Sequence, residues 1–253
     1  MKKNKTILIA GANGRIGSAL TNFVLEKDYN VILIDINFSE VKNTLLKYDK
    51  KKYLLCKFDV NNFKKLDKIL RLGINKFDSI DAAVYCAYPT TKTWGKAKFE
   101  DKKFLDVSEN LKLQLAGPII FSQRILNIFK KQKKGNLILL SSIMGISPPK
   151  FEIYKGTKMS SSIEYSAIKS GIISITKYLA KLYKKQNIRI NCISPGGVLD
   201  NQPKRFIKQY KKICNSKGLL SASDLIPAFR YLLDDESAII TGQNIIVDDG
   251  WTL

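Results

Sequence analysis

Short apolar, β-branched runs alternate with amphipathic stretches along the whole chain. The runs Thr6–Ala10, Val31–Asp35, Tyr53–Phe58, Ile80–Tyr85, Asn136–Ser141, Ile188–Ile193 and Asn244–Val247 are short and rich in Ile, Leu and Val, which predicts strands. Between them, Ile16–Lys27, Phe63–Leu72, Leu111–Lys131, Ile163–Tyr183 and Ser223–Leu233 carry apolar residues at helical spacing. Strands that alternate with helices predict a parallel sheet with right-handed crossovers. The strands are almost continuously apolar, as in a sheet covered by helices on both faces. The expectation is an α/β fold, one doubly wound domain of about seven strands over residues 1–253. No linker, repeat or low-complexity segment divides it. Ala87–Lys103, Gly145–Ser162 and Asp200–Ser221 lack clear periodicity and read as long loops. Loops that follow strands sit at the carboxyl edge of such a sheet, where ligands bind.

Composition narrows the chemistry. With 45% hydrophobic and 26% charged residues, the chain reads as a soluble globular protein with a full core. No run approaches the roughly 18 apolar residues of a membrane span. The first apolar run ends in glycines, so it reads as a strand and not as a signal peptide. There is no histidine. Ser-His-Asp and Cys-His hydrolysis, a His-ligated zinc site and histidine acid–base catalysis are therefore excluded. Proton chemistry near neutrality falls to Tyr, Lys, Asp, Glu or Cys. Cys56, Cys86, Cys192 and Cys214 form no CxxC pair, so neither a metal knuckle nor a redox dithiol is indicated. Reduced, mostly buried thiols in a cytoplasmic protein are expected. A net charge of +21 raises the question of nucleic acid. Only Arg15, Arg71, Arg124, Arg189, Arg205 and Arg230 are arginines among the 43 cations, and the lysines are scattered. Recognition of phosphates and bases favours arginine forks. The expectation is a solvated lysine coat, with neither nucleic acid nor membrane as partner. The charge does favour an anionic small-molecule substrate.

Two local patterns carry chemistry. The first strand runs into Gly11-Ala12-Asn13-Gly14-Arg15-Ile16-Gly17, and a helix follows. Glycines there allow a tight turn and close approach to a pyrophosphate, and the helix start offers free N–H groups with positive potential. This is a Rossmann-type dinucleotide turn, with contacts expected from Gly11, Asn13, Gly14, Arg15, Ile16 and Gly17. Asp35 ends the second strand, where a carboxylate accepts from ribose hydroxyls and repels a 2′-phosphate. That favours NAD over NADP, with Arg15 as the counterweight. The second pattern, Tyr-x-x-x-Lys, occurs at Tyr154–Lys158 and at Tyr165–Lys169. Residues at i and i+4 of a helix share a face. An ammonium beside a phenol lowers its pKa from about 10 and makes it a workable acid/base. Tyr165 opens a long helical run, whereas Tyr154–Lys158 contains Gly156, follows Pro148-Pro149 and reads as a loop. Tyr165 and Lys169 are therefore the expected pair.

With these motifs in this order, the sequence resembles the short-chain dehydrogenase/reductase family over nearly its whole length. The resemblance rests on Gly11–Gly17, Asp35, Phe58-Asp59-Val60, Leu139-Leu140-Ser141-Ser142-Ile143-Met144-Gly145, Tyr165–Gly171, Arg189–Gly197, Thr241-Gly242-Gln243 and Val247–Gly250. It implies NAD(P)-dependent hydride transfer between an alcohol and a carbonyl, in a homodimer or homotetramer, with no metal. Carried over by motif, Ser142 hydrogen-bonds the substrate oxygen, Tyr165 exchanges its proton, and Lys169 binds the nicotinamide ribose. Asp59 and Val60 meet the adenine, while Ala87, Pro195, Gly196 and Val198 line the rest of the cofactor. The fourth catalytic position falls at Gln114, with Asn110 one helical turn earlier as the alternative.

Several positions depart from the family pattern. The first glycine gap is shorter. The family's Asn-Asn-Ala-Gly reads Tyr85-Cys86-Ala87-Tyr88, and Asp200 stands where a threonine is usual. The segment between Ser142 and Tyr165 is longer than the family norm, which makes 146–162 and 200–221 substrate-side insertions. They carry Tyr154, Lys155 and Lys158, and Lys204, Arg205, Lys208, Lys211 and Lys212. A cationic rim with tyrosines predicts a phosphorylated or nucleotide-linked sugar contacted by Ser142, Tyr154, Lys204 and Arg205. The inserted loop and the ending Asp248-Asp249-Gly250-Trp251 look like a branch of the family found with bacterial surface-sugar and flagellin-modification pathways. Two alternatives stay open: a reductase of 3-oxoacyl or other apolar carbonyls, and a non-catalytic NAD-binding sensor or assembly protein.

Overall fold

The computed structural model describes residues 4–253. The apolar runs form β1 (Thr6–Ala10), β2 (Asn30–Asp35), β3 (Tyr53–Lys57), β4 (Ala82–Tyr85), β5 (Gly135–Leu140), β6 (Ile188–Pro195) and β7 (Asn244–Val247). They make a seven-stranded parallel sheet in the order β3-β2-β1-β4-β5-β6-β7. The helices are α1 (Arg15–Glu26), α2 (Lys42–Leu45), α3 (Phe63–Phe77), α4 (Phe104–Leu111), α5 (Gly117–Gln132), α6 (Ile163–Leu182), α7 (Lys204–Lys211) and α8 (Ile226–Leu233). No helix among the described residues is long and apolar enough to cross a membrane.

Side chains alternate across a strand, and both faces of this sheet are covered. Leu8, Ile32, Ala83, Leu137 and Ile190 pack with Leu66 and Leu70 of α3, Phe121 and Ile125 of α5, and Ile172 of α6. Ile7, Ile9, Leu33, Val84 and Ile138 face the other way, onto Leu20 and Val24 of α1 and Phe229 and Leu232 of α8. Strand order reverses between β1 and β4, so the connections leave in opposite directions and open a crevice above the carboxyl ends of these strands.

Two stretches differ most from the sequence expectation. The helix expected to start at Leu111 starts at Phe104 and continues through a wide turn, Lys112–Ala116, into α5. Pro118 has no N–H to continue the ladder, and Gly117 N instead donates to Lys112 O, five residues back. The lysine-rich segment 200–221 is not all loop. It contains α7, whose Phe206 and Tyr210 bury one face while its lysines meet water. Those two rings join Ile143, Met144, Ile153, Leu219 and Trp251 in a third apolar cluster beside the crevice, which seats the 146–162 insertion.

Candidate active site

The glycine turn forms one wall of the crevice. Gly11 has φ +80°, and a Cβ on it would lie 2.5 Å from Ala87 N, so the ends of β1 and β4 meet backbone to backbone. A Cβ on Gly17 would lie 2.0 Å from Gly11 O, so the turn folds directly onto the first turn of α1. The first N–H groups of α1 have no partner within the helix. Gly14, Arg15, Ile16 and Gly17 line a cleft of about 1090 Å³. Asp35 lies at its edge, with Oδ2 accepting from Asn13 N at 2.8 Å and Oδ1 from Ile36 N at 2.7 Å. The Asn13 side chain braces the loop after β2, accepting from Glu40 N at 2.7 Å and donating to Asn37. Asp59, Val60, Ala87, Pro195, Gly196 and Val198 also line the cleft. Arg15 forms an ion pair with Asp200, which joins the glycine turn to the loop after β6.

Ser142 follows β5 and Tyr165 stands in the first turn of α6, and both side chains line the cleft. Lys169 lies one turn further, with Nζ 5.5 Å from the Tyr165 ring centre and donating to Leu140 O at 3.0 Å. Strand and helix are tied together. Ser141 Oγ donates to Lys169 O at 2.7 Å and Ser170 Oγ to Gly145 O at 3.0 Å. Gly145 permits this approach, because a Cβ there would lie 2.6 Å from the Lys169 carbonyl carbon. Burial pulls the Lys169 pKa down to about 8. Burial also pushes the Tyr165 pKa up, opposed by its hydrogen bond to Ser142. The sequence expectation of a phenol made more acidic is therefore reversed in the free protein: loss of water around the ring outweighs the help it receives.

The remaining site candidates divide. Tyr154 lines the cleft, with its ring 5.3 Å from Phe206. Tyr154 and Lys158 lie in a turn broken at Gly156 (φ +73°), with Lys158 exposed, so they share no helix face. Gln114 sits in the wide turn before α5, buried, with neither amide atom hydrogen-bonded, and it does not line the cleft. Asn110 is also buried, but its amide is engaged by Thr91 at 2.9 Å and Glu164 at 3.4 Å. Lys204 and Arg205 do not line the cleft, which corrects their placement on its rim. α7 turns Phe206 and Tyr210 inward instead, and Arg205 Nε donates to Lys155 O at 3.0 Å. Sequence reasoning missed Tyr88 and Trp94. Both line the cleft edge-on to Tyr165, with ring centres at 5.9 and 6.0 Å. The visible signal was an aromatic residue, Tyr88, where the family has glycine. It also missed Tyr210, whose hydroxyl accepts from Gly197 N at 2.6 Å and so holds the turn after β6.

The family described as Enoyl-(Acyl carrier protein) reductase matches residues 10–252. The chain belongs to the short-chain dehydrogenase/reductase family. It is 43% identical over 256 residues to the post-translational flagellin modification protein A of Campylobacter coli, covering 100% of both chains. A short-chain dehydrogenase from Leptospira borgpetersenii, solved with bound NAD+, superposes with a TM-score of 0.86 at 30% identity, covering 99% of this chain and 94% of that one. A 4-hydroxyisoleucine dehydrogenase in complex with NADH gives 0.83 at 26% identity, covering 98% and 99%. This short-chain dehydrogenase/reductase acts on the CH–OH/C=O couple. Its cleft fits a nicotinamide dinucleotide. The glycine turn leaves backbone room and helix-end N–H groups for a pyrophosphate, and Lys169 is a buried cation with a single carbonyl partner.

Proposed function

We propose that this short-chain dehydrogenase/reductase is an NAD-dependent oxidoreductase that interconverts a secondary alcohol and a ketone on a sugar derivative, phosphorylated or nucleotide-linked. The observation that carries the reading is that Ser142 and Tyr165, with Lys169 5.5 Å from the Tyr165 ring, line the same cleft as the glycine turn. The nicotinamide supplies the hydride acceptor or donor. Ser142 orients the substrate oxygen by a hydrogen bond, and Tyr165 Oη takes the hydroxyl proton during oxidation or returns it during reduction. Both donors are held in place before charge develops on that oxygen, which is what lowers the barrier. Lys169 reaches the ribose and supplies positive potential to the phenolate. Asp35 supports NAD over NADP, because a carboxylate at the end of β2 repels a 2′-phosphate.

The sugar reading draws on the flagellin-modification relative and on the lining of the substrate end, where Tyr88, Trp94 and Tyr154 meet the hydroxyls of Ser160, Ser161 and Ser162. That end holds no lysine or arginine besides Lys169. The neutral ring therefore sits inside, and the phosphate or nucleotide reaches out toward exposed Lys155 and Lys158. Met144, Met159, Phe206 and Leu219 in the same wall favour a second reading, an apolar carbonyl substrate. A turnover panel separates them: neutral, phosphorylated and nucleotide-linked sugars and medium-chain secondary alcohols, each with NAD+ and NADP+. The proposal expects NADH from the charged sugar derivatives. Turnover of the apolar alcohols alone, or with NADP+ alone, contradicts it, and NADH binding without any turnover favours the sensor reading. We further infer a cytoplasmic homodimer or homotetramer, in keeping with the exposed Phe104 and Leu105 on α4 and Tyr178 and Leu182 on α6.

A further inference from the structure

The loop between β4 and α4 carries Tyr88 and Trp94, and it is held by an ion pair that the reaction itself does not need. Lys102 Nζ lies 2.6 Å from Glu164 Oε1, with side-chain exposures of 11% and 1%. Lys102 Nζ also donates to Ser162 Oγ at 3.1 Å, and Asn110 Nδ2 donates to the same Glu164 oxygen at 3.4 Å. Asn110 in turn accepts from Thr91 of the loop at 2.9 Å. Ser160 Oγ donates to Gly95 O at 3.1 Å, next to Trp94. The loop is therefore tied near its start, its middle and its end, with Thr93 Oγ1 also donating to Asp106 of α4 at 2.9 Å, and the ties at Thr91 and Lys102 converge on one carboxylate. That carboxylate belongs to the residue immediately before Tyr165, in the first turn of α6, where the helix field also favours a negative charge.

Taking two charges out of water is expensive, so a buried pair is weak evidence of a stabilising device. Its best-attested role is to select one arrangement over others. Here the arrangement selected is visible. Trp94 and Tyr88 stand edge-on to each other at 5.8 Å, and each stands edge-on to Tyr165. Loop and Tyr165 are both referenced to the same helical turn, so the aromatic wall and the phenol keep one spacing. We propose that Lys102 and Glu164 are positioning residues whose ion pair fixes Trp94 and Tyr88 as a rigid aromatic wall against Tyr165 on the substrate side of the cleft. The pair touches neither cofactor nor reacting atoms and acts through Trp94 and Tyr88. The inference rests on Tyr165 as the proton-transferring residue. Its test needs no substrate, so its failure and the failure of the sugar reading are separate results.

Trp94 and Trp251 are the two tryptophans. Fluorotryptophan labelling therefore gives two fluorine NMR resonances, assigned with Trp94→Phe. Trp251 is fully buried against Tyr210 and serves as the internal reference. Glu164→Gln and Lys102→Met are each expected to move and broaden the Trp94 resonance toward its solvent-exposed position while Trp251 stays in place. Lys102→Arg, which keeps the charge, is expected to hold Trp94 close to the parent position. NADH affinity should change by less than about twofold in all three, because the glycine turn shares no partner with the pair. Thr91→Val removes the links to Asn110 and to the Thr93 hydroxyl and leaves no buried charge unpaired. It should move Trp94 in the same direction by less, and it decides the question if Glu164→Gln does not fold. An unmoved Trp94 resonance in these variants overturns the proposal. So does equal movement of Trp94 and Trp251, which would mark the pair as a general stabiliser of the fold.

Discussion

Lys169 shows most directly what this site demands of a single residue. Its ammonium is buried with one carbonyl partner, and burial pulls its pKa from 10.5 to about 8. Between those values the unfolded chain holds a proton that the folded chain has released, so stability rises with pH across that window. Below about 8 the full penalty is present, on the order of 3 kcal/mol. Lys169→Met is therefore expected to be more resistant to urea than the parent at neutral pH and to lose the rise in stability between pH 8 and 10.5, while abolishing turnover. Urea unfolding across that pH range checks it, and a Met variant less stable than the parent would show that the bond to Leu140 outweighs burial. The Tyr165–Lys169 pair was legible in the sequence because a four-residue spacing on an uninterrupted helix admits one geometry. Tyr88 and Trp94 were not, since an aperiodic loop gives no direction to its side chains. Lys204 and Arg205 were assigned to the cleft because they sit in a segment after β6 that reads as a loop over the carboxyl edge, and the turn of α7 that buries Phe206 and Tyr210 points them elsewhere.

At the scale of elements, the site depends on β1, the glycine turn and α1 behaving as one rigid piece. A methyl group at Gly17 meets Gly11 O, a backbone atom that cannot swing aside. Relief requires the turn to open, a distortion of ~1–3 kcal/mol. Gly17→Ala is expected to weaken NADH binding by about tenfold or more, since each 1.4 kcal/mol is a factor of ten. NADH fluorescence titration reads this, and an unchanged affinity would mean that the turn does not hold the pyrophosphate. The strands were legible because each is a short, nearly unbroken apolar run, and the central ones are buried on both faces, as in β1, where all five residues are buried. α7 was not, because its two buried aromatics are outnumbered by lysines and it packs on a satellite cluster instead of the main sheet. The early start of α4 was hidden for the opposite reason. Phe104 and Leu105 are apolar yet exposed, so they do not mark an inward face.

At the scale of the molecule, charge and exposed apolar side chains govern what the surface meets. The net charge of +21 sets up a positive field around a cleft that takes an anionic cofactor. NADH association measured by stopped flow is expected to slow as salt rises and the field is screened, and a salt-independent rate would contradict that. The exposed apolar side chains on α4 and α6 predict self-association. Phe104→Asp with Leu105→Asp should shift the protein to monomer in light scattering, and an unchanged mass would place the interface elsewhere.

The proposed chemistry assigns proton transfer to the phenol of residue 165 and not to that of residue 154. Reduction of NAD+ across the sugar panel by the parent, Tyr165→Phe and Tyr154→Phe, with NADH binding measured on each, tests it most directly. Tyr165→Phe is expected to bind NADH like the parent yet lose ~10²–10⁴ of its turnover, while Tyr154→Phe keeps turning over with a raised KM. Full turnover in Tyr165→Phe together with its loss in Tyr154→Phe would contradict it.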